Sequence, residues 1–202
     1  MEHYFTNNAD LPSNFRTIVY KINGSVLEFT SDLGVFSKNK VDYGSDLLIR
    51  TFLKSGNSNR TLLDVGCGYG IIGITLSKLA NMKSTLIDVN KRAVHLTSMN
   101  IKSNGLDAVS FESNVYDKVE CTYDVIITNP PIRAGKKVVL DILLKAKDHL
   151  NESGELWLVI RKDQGAKSIF EILKTTYEAN IVEKSKGFYI IVCKNCWHWF
   201  IY

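Results

Sequence analysis

The sequence predicts an α/β protein, a doubly wound sheet with helices on both faces, preceded by an N-terminal β-hairpin. Three observations carry that expectation. Short apolar runs alternate with longer amphipathic segments from residue 61 onward, a glycine-rich turn follows the first such run, and Asn23-Gly24 divides a β-branched and aromatic stretch near the start. The 202 residues, 45% hydrophobic and 23% charged, fit one domain, 1–202, with hairpin and helix in 1–54 and an α/β core in 61–193. Collagenous, low-complexity and disordered classes are excluded by that composition. No apolar run reaches the ~18–20 residues of a membrane span, and MEHYFTNNADLP lacks a signal peptide's apolar centre, so the expectation is a soluble, cytoplasmic protein. Cys67, Cys121, Cys193 and Cys196 are too few and scattered for a disulfide framework. The net charge of +4 permits a nucleic-acid partner without requiring one.

The hairpin spans Phe15 to Phe29, since Asn-Gly supplies two left-handed positions between strand-forming runs. Asp42–Leu53 follows as a helix, with Leu47, Leu48, Ile49 and Phe52 on one face. Strands are expected at Thr61–Val65, Ser84–Val89, Val109–Glu112, Val125–Thr128, Leu156–Ile160 and Tyr189–Cys193. Helices are expected at Gly70–Leu79, Lys91–Asn104, Val138–Leu150 and Ala166–Thr175. In such a sheet ligands bind beyond the carboxyl ends of the strands, so the residues just after each apolar run carry the functional interest.

The first strand runs into LLDVGCGYGIIG, residues 62–73. Glycines at 66, 68 and 70 allow a sharp turn and close approach of a ligand to a helix N-terminus. Gly68-x-Gly70-x-x-Gly73 also satisfies the dinucleotide pattern literally, which keeps an NAD-binding or other nucleotide-binding protein open. Asp64 weighs against it, because a carboxylate there would repel a pyrophosphate but would suit a cationic ligand. Asp88, at the second strand tip, can accept from both hydroxyls of a ribose; its alternative is capping the next helix, a role Asn90 fills equally well. Asn114, after the third strand, can read an adenine edge or simply hold a turn. After the fourth strand, Asn129-Pro130-Pro131-Ile132 removes two backbone donors and leaves the Asn129 side chain and the Pro130 carbonyl as fixed acceptors. Two fixed acceptors can hold a planar amine and turn its lone pair toward an electrophile, although Asn-Pro also opens ordinary turns.

DVGCGYG (64–70), Asp88, Asn114 and NPPI (129–132), in that order, resemble class I S-adenosylmethionine-dependent methyltransferases, and NPP resembles the branch acting on exocyclic or amide nitrogens. GVFSKNKVDYGSDLL (34–48) and NPPIRAGK (129–136) are similar to the RsmC-like small-subunit ribosomal RNA (guanine-N2-)-methyltransferases, over about Phe15 to Cys193. The resemblance implies a Rossmann-like seven-stranded sheet and S-adenosyl-L-methionine as cofactor. It implies that Asp64, Gly66, Gly68 and Gly70 surround the methionine part, Asp88 takes the ribose and Asn114 the adenine. Phe36, Ser37 and Ser45 fall in the segment that closes over the cofactor in relatives, and Asn129, Pro130 and Pro131 form the catalytic loop. Ribosomal RNA or the small ribosomal particle is the implied partner; adenine N6 and a protein glutamine are the alternative amines. No metal is needed.

Two departures stand out. Ile132 occupies a position where many relatives carry an aromatic that stacks on the target base, and NCWHWFIY (195–202) does not match the family's usual ending. Larger members also carry a further N-terminal domain, so the expectation is a stand-alone catalytic domain. Arg133, Lys136 and Lys137 follow the NPPI loop as candidate phosphate contacts, extended by Arg161 and Lys162; a merely solvated loop is the alternative. Cys193, Cys196 and His198 lack a fourth ligand for structural zinc. His95 and His149 lie in amphipathic segments and are expected to be surface or packing residues.

Overall fold

The computed structural model describes residues 13–33, 35 and 40–195. The expected Phe36, Ser37, Cys196, His198 and the NCWHWFIY ending from 196 onward lie outside them. Strands β1 (Arg16–Ile22) and β2 (Ser25–Ser31) pair antiparallel around Asn23-Gly24, whose φ angles are +48° and +78°. Alternation puts Ile18, Tyr20 and Ile22 with Leu27 and Phe29 on the inner face. Helix α1 (Tyr43–Lys54) is capped by Asp42, whose carboxylate accepts from Ser45 N–H.

The core sheet contains β3 (Thr61–Val65), β4 (Lys83–Asp88), β5 (Val109–Glu112), β6 (Tyr123–Thr128), β7 (Leu150–Arg161), β8 (Glu178–Ser185) and β9 (Phe188–Lys194). Their spatial order is β5-β4-β3-β6-β7-β9-β8, and β9 alone runs against the rest. Helices α2 (Ile71–Ala80), α3 (Lys91–Ser103), α4 (Lys136–Lys145) and α5 (Ala166–Leu173) complete the layers. One core, with Leu48, Phe52, Ile74, Leu96, Trp157 and Val192, joins the hairpin and α1–α3 to one face of the sheet. The other, with Leu63, Ile126, Leu143, Leu158 and Ile169, joins α4 and α5 to the opposite face. Seven strands and helices on both faces meet the expectation.

Asn100 on α3 docks the hairpin: its Oδ1 accepts from Thr30 N–H (2.7 Å), while its Nδ2 donates to the carbonyls of Thr30 and Tyr69. The edge of β2 is thereby satisfied and fixed against the glycine turn.

Three departures from expectation exceed a shift of one or two residues at an element's end. The Val138–Leu150 helix begins at Lys136, ends at Lys145, and passes through a 3-10 turn (Ala146–His149) into β7. Strand β7 begins at Leu150, well before the expected Leu156, because Asn151–Gly154 bulge away from β6 between the pairs Tyr123–Leu150 and Val125–Glu155. Strand β8 was absent from the sequence expectation. It is an edge strand whose residues alternate between exposed and half-buried, so no fully apolar run announces it.

Candidate active site

The carboxyl edge of the sheet carries the glycine turn with Asp64 and Asp88 and, beside it, the Asn129-Pro130-Pro131 loop. At the tip of β3, Asp64 is 1% exposed, and its Oδ2 accepts from Gly73 N–H at 2.8 Å. Its Oδ1 has no hydrogen-bond partner. Burial pushes this carboxyl up to about 7. A Cβ on Gly73 would lie 2.6 Å from the Leu86 side chain, so this third glycine serves close packing of α2 on the sheet. Gly66 and Gly68 have φ of +73° and +60°, and a Cβ on either would point into open space. They leave a cradle. Gly70 is buried as the N-cap of α2 and contributes the turn itself.

Asp88 links the cradle to β4. Its Oδ2 accepts from Gly68 N–H and its Oδ1 from Asn90 N–H, both at 2.9 Å. Burial pushes it up to about 6, against the lowering effect of those bonds. Asn90 caps α3 by accepting from Arg92 N–H and Ala93 N–H, so Asp88 is not needed as the cap. Asn114, beyond β5, is exposed and donates through Nδ2 to Asp117 Oδ2 at 3.0 Å, the geometry of its turn alternative.

The second loop lies beside the cradle because Thr128 Oγ1 donates to the Val65 carbonyl at 2.8 Å, tying the tips of β6 and β3. Asn129 follows at once. Its Nδ2 donates to Ser45 Oγ (3.0 Å) and Asp42 Oδ1 (3.3 Å), which fixes the amide and leaves Oδ1 as the end that can accept. Ser45 is 2% exposed and meets Asn129, a partner the sequence did not suggest. The Pro130 carbonyl was expected as a free acceptor. It already accepts from Ile132 N–H at 2.9 Å and retains one lone pair. Pro131 and Ile132 are half-buried, whereas Arg133, Lys136 and Lys137 are exposed. Arg161 pairs with Asp163 at 2.8 Å, and Lys162 stands exposed beside it.

The methyltransferase small domain model matches residues 26–192. The chain belongs to that family. It is a class I S-adenosylmethionine-dependent methyltransferase of RsmC type. The uncharacterized protein YbxB of Bacillus subtilis is 46% identical over 96% of this chain and 98% of its own length. Ribosomal RNA small subunit methyltransferase C of Salmonella arizonae is 37% identical over 69% of this chain and 41% of its own. A Thermus thermophilus 16S rRNA N2 G1207 methyltransferase, solved with AdoMet and guanosine, superposes with a TM-score of 0.83 at 23% identity, covering 92% of this chain and 52% of that one. This chain thus spans about half or less of the latter two.

The residues present fit the methyl donor of this methyltransferase. An open glycine cradle admits a ligand against backbone, and the unpartnered Asp64 Oδ1 and the partly exposed Asp88 supply acceptors for a ligand carrying cations and hydroxyls. Asp42 is the functional residue that sequence reading missed. It stood there only as the start of a helix, and its reach to Asn129, 87 residues on, has no local signal. Tyr69, within the glycine turn, is 2% exposed and meets the Phe29 ring edge-on, a packing role, although its hydroxyl has no partner. His95 is exposed, and His149 stacks on Tyr116 at 4.5 Å, a packing role. Among the described residues no helix is long and apolar enough to cross a membrane.

Proposed function

We propose that this methyltransferase acts on the exocyclic N2 amine of guanine in small-subunit ribosomal RNA. The observation that carries the reading is the fixed Asn129 amide, with Nδ2 spent on Ser45 and Asp42 and Oδ1 left to accept an N–H. Gly66 and Gly68 take the methionine part of the cofactor, Asp64 faces its ammonium and Asp88 its ribose; Asn114, with its Nδ2 spent on Asp117, offers the adenine only its Oδ1. Bound S-adenosylmethionine supplies a methyl group on a positively charged sulfur. Asn129 Oδ1 and the remaining lone pair of Pro130 hold the two amine protons, turning the nitrogen lone pair out of the ring plane and toward that methyl. Alignment of this kind lowers a barrier by several kcal/mol, ~7–11 at best. One N–H proton leaves to water after transfer, so no base is required of the loop.

Support for guanine and ribosomal RNA comes from the Salmonella and Thermus relatives, and from Arg133, Lys136 and Lys137 standing exposed where RNA phosphates would approach. Labelled methyl transfer to isolated small-subunit RNA, assembled particles and protein fractions, followed by nucleoside analysis, tests the reading. N2-methylguanosine is expected; N6-methyladenosine or methylglutamine would replace it. Neutralising Arg133, Lys136 and Lys137 together is expected to weaken RNA binding and lower its salt slope by about 2 for single-stranded contacts, with cofactor affinity unchanged.

A further inference from the structure

A half-buried aromatic ring, Phe188, stands at the same edge of the sheet as Asn129. We infer that Phe188 stacks on the guanine whose N2 amine is methylated, an inference resting on the RNA reading above.

Phe188 opens β9 and pairs with Arg161 at the carboxyl end of β7, which puts it at the edge where the loop after β6 carries Asn129. Alternation along β9 sets it on the face of Ile190 and Val192, the face that α1 covers. The Asn129 amide is tied to the start of that same helix through Asp42 and Ser45. Gly44 joins the two. A Cβ there would lie 3.0 Å from Phe188 Cε1 and 3.1 Å from Asp42 Oδ1, so the ring edge and the carboxylate that holds the amide flank one point.

Strand order gives the direction. The acids proposed for the cofactor sit at the tips of β3 and β4, Asn129 follows β6, and Phe188 lies beyond β7. In methyl transfer the nitrogen lone pair forms the new C–N bond from the side away from sulfur, and the C–S electron pair returns to sulfur. A base whose amine sits on Asn129 therefore extends away from β3 and β4, toward Phe188. The ring is held for that contact: Tyr43 meets it at 55° with centroids 5.5 Å apart, and Arg161 Cζ lies over it at 5.5 Å. Tyr43 is held in turn by a 2.7 Å hydrogen bond between its hydroxyl and Ser185 Oγ. Ile132, which follows the prolines, is aliphatic and offers no π-face. Every base has a face that can stack, so Phe188 contributes hold and orientation, while the Asn129 and Pro130 acceptors select the amine.

Methylation kinetics are measured on a short guanosine-containing fragment of small-subunit RNA, with calorimetry for S-adenosylhomocysteine, and thermal melting confirms that each variant is folded at the assay temperature. Phe188→Leu is expected to lower kcat/KM about tenfold, mostly through KM, as for one lost base–aromatic stacking contact. Its cofactor affinity stays as in the wild type, and Phe188→Tyr, which keeps the ring, retains wild-type kinetics. In Phe188→Trp, guanosine added with S-adenosylhomocysteine present is expected to quench indole emission beyond any change in the wild type. Wild-type kcat/KM in Phe188→Leu, an equal loss in Phe188→Tyr, an activity loss matched by lost cofactor affinity, or no added quench in Phe188→Trp overturns the stacking role and leaves the RNA reading intact. Methylation of a protein fraction in place of RNA overturns both.

Discussion

At the tips of β3 and β4, three of the four carboxylate oxygens of Asp64 and Asp88 hold backbone N–H groups, and both acids are pushed upward by burial. Beyond the tips of β6 and β7, Arg133, Lys136, Lys137, Arg161 and Lys162 are exposed, with the Asn129 amide held between this region and α1. The first region is held by backbone hydrogen bonds before any ligand arrives; the second is a single fixed amide beside exposed cations. Preorganisation is thus concentrated on the carboxylates and the Asn129 amide, and the proposed RNA contacts are left to exposed side chains.

The sharpest way to break that comparison is Asn129→Ala. Methyl transfer is expected to fall of order 10²-fold, the cost of a lost aligning contact, with S-adenosylmethionine affinity nearly unchanged in calorimetry. Loss of cofactor binding instead would remove Asn129 from the amine-holding role. Asn129→Asp retains an acceptor but sets a carboxylate where Nδ2 now donates to Asp42 Oδ1, so it is expected to perform little better than Ala. Adding Asp42→Asn relieves the repulsion and keeps a helix-capping residue, so the double variant is expected to regain part of the activity.

Asp88→Ala is expected to weaken S-adenosylmethionine binding by about 1.5–3 kcal/mol, the range for hydrogen bonds to a charged group. Because Asp88 also holds Gly68 N–H and Asn90 N–H, the melting temperature of the ligand-free protein should fall as well. Unchanged calorimetric affinity would take Asp88 out of the ribose role even if stability drops.

The same comparison sets how much was legible in the sequence. The glycine turn and its two acids were legible because their geometry is local: each sits within a few residues of a strand tip. The other region depends on partners far along the chain. Asp42 and Ser45 meet Asn129 across 87 and 84 residues, and the Pro130 carbonyl is partly consumed by Ile132 N–H, which no spacing rule reveals. Periodicity found the strands buried on both faces and missed β8, whose Glu178, Asn180, Glu183 and Lys184 interrupt its apolar residues.

The buried acids at the tips of β3 and β4 should also show in stability. A carboxyl raised from 3.8 to about 7 binds more protons folded than unfolded between those values, so its contribution is present at pH 4 and lost as pH rises through 7. Asp88 acts in the same direction up to about 6. His149, lowered by burial, acts in the opposite direction, so the informative quantity is a difference between variants. Ligand-free Asp64→Asn is expected to lose stability relative to wild type at pH 5 and to gain on it by pH 7.5, read as melting temperatures. Parallel curves for the two proteins would mean that Asp64 ionises at its ordinary value.

The smallest effect concerns the two hairpins. Asn23-Gly24 and Lys186-Gly187 both place a non-glycine residue at φ +48° before a left-handed glycine. Asn adopts that region readily, whereas Lys carries the ordinary side-chain penalty of about 1–2 kcal/mol. Lys186 has a compensation that Asn23 lacks, since its Nζ lies 4.8 Å from the Tyr43 ring centroid, a contact worth about 0.5–1 kcal/mol at an exposed site. Asn23→Lys is therefore expected to destabilise by about 1 kcal/mol in denaturant unfolding. Lys186→Asn should gain less than about half of that, because relief of the backbone is offset by the lost ring contact. A full gain from Lys186→Asn would show that the ring contact contributes nothing, and that strain alone distinguishes the turn which the sequence displayed from the turn it concealed.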